Sequence, residues 1–169
     1  MKTLYLIGGT MGVGKTTVCR ELKNQLHRSV FLDGDWCWDM NPFVVTEETK
    51  AMVLDNITAL LGNFLRCSAY DHVIFSWVMH QQSIVDTILG RLDLTDVKVV
   101  SVSLVCSREA LLQRLYRDVE AGIRQPDILL RSPQRLNLYD SMNTEKIDSS
   151  HATVAQTVQE ILRLAQNQT

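Results

Sequence analysis

Residues 9–16 read Gly-Thr-Met-Gly-Val-Gly-Lys-Thr, a full match to G-x-x-x-x-G-K-[ST]. The match is specific because of where it lies. An apolar run, Thr3–Ile7, precedes it and reads as a buried strand; a helix is expected from Lys15 to about His27. Between a strand and a helix, glycines let backbone N–H groups turn inward where a side chain would collide with an anion. The first turn of the helix offers further donors and the positive end of its dipole. The stretch Gly9, Thr10, Met11, Gly12, Val13, Gly14, Lys15, Thr16 and Thr17 is therefore expected to hold a nucleoside triphosphate. Lys15 would bridge the β- and γ-phosphates, and the Thr16 hydroxyl would face Mg²⁺. A dinucleotide fingerprint fails, because position 17, where its third glycine would stand, is Thr17.

The rest of the chain alternates in the same manner. Short strands are expected at Ser29–Leu32, Val73–Val78, Val97–Val105 and Glu145–Asp148. Between them, Val53, Ile57, Leu60, Leu61 and Phe64 mark a helix from Thr46 to about Arg66, and Ile84, Val85, Ile88 and Leu89 mark one from about Gln82 to Arg91. Ser107 fits an N-cap before Leu111, Leu112 and Leu115, and Ser132-Pro133 has the form of another helix start. The polar stretch Glu120–Leu130 reads as a loop or lid, and a last helix carries Val154, Val158, Ile161, Leu162 and Ala165. Strand and helix in alternation predict an α/β fold of three layers, a five-stranded parallel sheet covered on both faces. With 169 residues the chain has room for one such domain, residues 1–169, with a lid at about 118–131.

Composition narrows the partners. A formal charge of −2 argues against a broad nucleic-acid surface, and no run of apolar residues is long enough to span a membrane. Leu4–Ile7 runs into glycines rather than a cleavage site, and Cys19, Cys37, Cys67 and Cys106 form no CxxC pair. The expectation is a cytoplasmic protein whose cysteines are small core residues, with a small-molecule partner and no nucleic-acid or membrane partner. Oligomeric state is not legible.

Two aspartates, Asp33 and Asp35, follow the second strand in Leu32-Asp33-Gly34-Asp35. In a doubly wound sheet ligands sit beyond the carboxyl ends of strands, so both would face the phosphate loop. One carboxylate can hold a metal-bound water while the other accepts the proton of an attacking hydroxyl. Trp36, Trp38 and Met40 follow, either walling an acceptor pocket or covering the core beside Cys37. Ser76, Trp77 and His80 fall at the same edge, with no acidic residue in Val73–Ser76. Six of the eleven arginines lie between Arg108 and Arg135, the density expected where cations must cover phosphates.

The phosphate loop, the Phe31–Asp35 segment, the arginine-rich stretch and Ile147-Asp148-Ser149-Ser150 together resemble the small P-loop kinases, nearest the gluconate kinase, shikimate kinase, adenylylsulfate kinase and chloramphenicol phosphotransferase group. The resemblance implies ATP and Mg²⁺ as cofactors and transfer of phosphate to a hydroxyl of a small molecule. It assigns Asp33 with Thr16 to the metal and Asp35 to the acceptor, roles that could be exchanged. Arg114, Arg117 and Arg124 resemble lid arginines, Arg114 toward the nucleotide and the other two toward the transferring group. Other readings are a nucleoside or nucleotide kinase, for which few arginines remain outside the lid, and a non-catalytic ATP-binding sensor. The acceptor itself has no recognisable code in Asn41–Lys50.

Overall fold

In the computed structural model, which describes residues 1–167, five strands form a single parallel sheet. They are β1 (Lys2–Gly8), β2 (Ser29–Asp33), β3 (His72–Ser76), β4 (Val97–Val105) and β5 (Glu145–Asp148), ordered β2-β3-β1-β4-β5. The helices are α1 (Lys15–Gln25), α2 (Glu47–Arg66), α3 (Gln82–Gly90), α4 (Arg108–Glu120), the single turn α5 (Ile128–Arg131) and α6 (Val154–Asn167).

Side chains alternate across a strand, and β1 shows how this builds two cores from one segment. Leu4 and Leu6 face one side, where Val53, Ile57 and Leu61 of α2 and Val85 and Ile88 of α3 cover them. Tyr5 and Ile7 face the other, against Val18 and Leu22 of α1 and Val158 and Ile161 of α6. Each such aliphatic side chain taken out of water contributes roughly 1.5–3 kcal/mol before chain entropy is subtracted. β1 is hydrogen-bonded on both edges, Leu4 in register with Val73 and Val99, and its carboxyl end is therefore fixed on both sides. A third cluster, Leu111, Leu115 and Ile128 with Met11 against it, seats α4 and α5 beneath the phosphate loop.

Three expectations change. α4 runs through Glu120, and α5 occupies 128–131, so the irregular stretch is only residues 121–127. The helix start expected at Ser132-Pro133 is present, as a 3-10 helix over Pro133–Tyr139. The strand expected at Val73–Val78 ends at Ser76, although Trp77 N–H donates to the Ile7 carbonyl and the Val78 carbonyl accepts the Gly9 N–H, so these two residues still run beside the end of β1. Of the cysteines, Cys19 and Cys37 are buried as expected, but Cys67 is exposed beyond α2 and Cys106 is only half-buried. None of the described helices is long and apolar enough to cross a membrane.

Candidate active site

The phosphate loop joins β1 to α1, with Gly9, Gly12 and Gly14 at positive φ. Gly12 is the most constrained: at φ +85°, a Cβ there would also lie 2.5 Å from Cδ2 of Leu115. The first turn of α1 has neither a side-chain cap nor an acidic residue, which leaves its positive end to an external anion.

The loop is held from outside by two side chains distant in sequence. The fully buried Ser132 donates from its hydroxyl to the Met11 carbonyl at 2.5 Å. That hydroxyl in turn receives the buried Thr10 hydroxyl at 2.7 Å, which also lies 2.9 Å from the Ser132 carbonyl. On the other side, Arg114 of α4 donates to the Val13 carbonyl at 3.0 Å and to the Ser149 carbonyl at 2.5 Å. These contacts occupy carbonyl oxygens, so the loop's N–H groups stay directed inward.

Lys15 Nζ donates to the carbonyls of Gly9 (2.7 Å) and Thr10 (3.0 Å). Burial of the ammonium group pushes its pKa down to about 8, against the opposing pull of Asp35 and Asp33. The Thr16 hydroxyl donates to Asp33 Oδ2 at 2.9 Å. Asp33 is buried at the end of β2, and its second oxygen accepts the Asp35 backbone N–H at 3.1 Å, so a 3-10 turn (Gly34–Cys37) begins on it. That turn carries Asp35 outward, where Trp77 Nε1 donates to its Oδ1 at 3.2 Å. Loss of water around the carboxyl group, and the Asp33 charge next to it, raise the Asp35 pKa above the ordinary value. Gly34 is required beneath Trp77, because a Cβ there would lie 2.5 Å from the indole ring.

Ser76 stands in register between Asp33 of β2 and Ile7 of β1. Its hydroxyl is buried against the Cys19 thiol, with which it interacts, while the buried Nδ1 of His80 has no hydrogen-bond partner among the described residues. Burial and the positive charge of Arg135 lower the His80 pKa. Thr16, Asp33 and the neighbouring Ser76 hydroxyl supply hard oxygens of the kind Mg²⁺ takes, and Mg²⁺ retains several waters and needs few protein ligands. A glycine cradle with an uncapped helix end likewise suits a polyphosphate. Among the described residues no group of three or more His, Cys, Asp or Glu side chains gathers at one point, which leaves the Thr16–Asp33 pair as the candidate metal position.

The structure thus brings together Lys15, Thr16, Asp33 and Asp35. The arginines divide. Arg114 is engaged with the loop backbone rather than open toward a phosphate, which makes it a brace of the cradle. Arg124, in the turn after α4, is paired with Asp118 at 2.9 Å, and its charge acts on Lys15. Arg117 points to solvent from the last turn of α4. Trp36 and Trp38, adjacent candidates for one wall, separate: Trp36 stands edge-on to Phe31 beside α1, whereas Trp38 meets Trp77 and Phe43 on the α2 side. Ser132 and Thr10 were legible only as a helix start and a loop residue, since the bond joining them spans 122 positions.

The AAA domain family matches residues 6–127. Among solved structures, a gluconokinase from Sinorhizobium meliloti 1021 superimposes with a TM-score of 0.71 at 18% identity, over 98% of this chain and 93% of its own. The tunicamycin resistance protein of Deinococcus radiodurans gives 0.71 at 19% identity over 96% and 95%. A shikimate kinase from Acinetobacter baumannii, solved with shikimate, gives 0.59 at 23% identity over 100% and 95%. No curated protein sequence matches the chain. The strand order, the glycine cradle and these likenesses agree: the chain belongs to the AAA domain family and has the fold of the small P-loop kinases.

Proposed function

We propose that the protein transfers the γ-phosphoryl group of ATP, with Mg²⁺, to a hydroxyl of a small molecule. The observation that carries this reading is the line Lys15, Thr16, Asp33, Asp35: an ammonium, a hydroxyl bonded to a buried carboxylate at 2.9 Å, and a second, outer carboxylate two residues on. ATP and Mg²⁺ supply an activated phosphoryl group with part of its charge neutralised. The chain's own groups do the rest. Backbone N–H groups of residues 9–16 bind the phosphates, Lys15 matches charge on the transferring group, and Thr16 with Asp33 holds the metal. Asp35 takes the proton from the acceptor hydroxyl at a carboxylate oxygen, and its raised pKa makes it a better base than an ordinary aspartate. Residues 118–131 act as a lid, Arg124 moving from Asp118 to the phosphates and water being excluded as it does so.

Release of ADP from ATP against a panel of candidate alcohols tests the reading. Lys15→Ala is expected to lower kcat/KM by about two to three orders of magnitude with folding retained. Asp35→Asn is expected to lower kcat by about 10²–10⁴-fold with the affinity for ATP unchanged. Turnover by Lys15→Ala at the rate of the parent chain would remove phosphoryl transfer from consideration. The pH dependence has a definite sign. Lys15 binds phosphate in its charged form, so ATP affinity is full below about 8 and falls as pH rises through that value. Above it the loss approaches tenfold per pH unit, read by calorimetry with Mg²⁺ present.

A further inference from the structure

The wall beside Asp35 is aromatic. Trp77 donates to the Asp35 carboxylate, Trp38 stands edge-on to Trp77 with ring centres 5.8 Å apart, and Phe43 stands edge-on to Trp38 at 5.1 Å. Phe43, Val44 and Val45 continue this surface into solvent, at 61%, 43% and 50% exposure. Single exposed apolar residues are ordinary; a consecutive run that begins at a proton-accepting carboxylate is not. The same segment, residues 34–46, contains Asp35 and Asp39 and no Lys, Arg or His. A carboxylate or phosphate lying here would be desolvated against indole rings and would meet the Asp35 carboxylate that Trp77 holds.

We propose that the acceptor is an alcohol carried on a ring or other apolar body, with no anionic group, which lies on Trp38, Trp77 and Phe43 while its hydroxyl reaches Asp35. This rests on the kinase reading above and names the substrate class for that site. Trp38 and Phe43 set the affinity for the acceptor's body, and Trp77 has two tasks, as wall and as donor that orients Asp35. The hydroxyl proton goes to the Asp35 carboxylate, the new O–P bond forms as the bond from the γ-phosphorus to the β,γ-bridging oxygen breaks, and ADP leaves with that oxygen.

The chain has three tryptophans, so a ¹⁵N–¹H spectrum shows three indole N–H signals, each assigned by its Trp→Phe variant. The full chain with Mg²⁺ and a non-hydrolysable ATP analogue is titrated with 4-methoxybenzyl alcohol and, separately, with 4-(hydroxymethyl)benzoate, the same benzyl alcohol bearing a carboxylate, and with shikimate. The expected result is saturable movement of the Trp38 and Trp77 signals with the neutral alcohol, at about millimolar affinity, while Trp36 on the opposite face stays still. Phe43→Ala, which removes a largely exposed ring, and Trp38→Ala are each expected to weaken that binding about five- to tenfold. Equal or tighter binding of either anion, movement of Trp36 alone, or no movement of Trp38 and Trp77 at about 10 mM neutral alcohol overturns the assignment. Calorimetry of the analogue on the same protein, with Mg²⁺ and before any alcohol is added, keeps the two readings apart: absence of analogue binding defeats the kinase reading, whereas analogue binding with an indifferent aromatic wall defeats only the substrate class.

Discussion

The phosphate loop and the aromatic loop lie on either side of Asp33 and are built on opposite plans. Residues 9–14 are tied down by partners from α4 and from the turn after α5, with Thr10 wholly buried and backbone carbonyls occupied by Ser132 and Arg114. Residues 38–45 are held at the site chiefly by rings meeting edge to face, with Phe43, Val44 and Val45 open to water. On the function proposed above, a nucleotide would present the same phosphates whatever the acceptor, so its cradle can be rigid and polar. Non-directional contact lets the acceptor wall change shape by substitution without disturbing the cradle.

The contrast can be broken first at Gly12. Gly12→Ala places a Cβ against Leu115 at a backbone φ that only glycine adopts freely, and a loss of roughly 1–3 kcal/mol in unfolding free energy is expected. ATP affinity should fall with it, and denaturant titration with and without ATP reads both. Thr10→Val keeps the volume but leaves buried Ser132 groups without their partner, for an expected cost of about 1–3 kcal/mol. A rise in KM for ATP larger than any change for the acceptor would locate the effect in the cradle. Phe43→Ala sharpens the comparison from the other side. With the ring largely exposed, its thermal midpoint should move by the equivalent of no more than about 0.5 kcal/mol, and a larger shift would mean that the aromatic loop is structural after all.

The sequence carried the sheet, because the short apolar run Leu4–Ile7 ending in glycines and the periods of α2 and α3 are local patterns. Lys15, Thr16 and Asp33 were legible for a similar reason: a short motif places two of them, and a strand end places the third. Ser132 and Arg114 were not. Each works through a partner more than a hundred positions away or through a backbone carbonyl, which has no residue type to read. Trp36 and Trp38 could be read either as an acceptor wall or as cover beside Cys37, and adjacency gave no sign that the 3-10 turn sends one to each face of the sheet. The irregular stretch is shorter than Glu120–Leu130 because the helix capped by Ser107 continues through Glu120, past the point where its sequence becomes polar, and α5 takes up residues 128–131.

The two braces of the phosphate loop have a mechanical consequence for residues 115–131. Arg114 and Ser132 stand at the two ends of that stretch, and both are fastened to the same six-residue turn, Gly9–Gly14. The segment is therefore a hoop with both feet on the cradle, not a flap swinging from one hinge. Its crown can tip toward the phosphates only as far as its contour allows, and any pull on the crown is delivered to the Met11 and Val13 carbonyls.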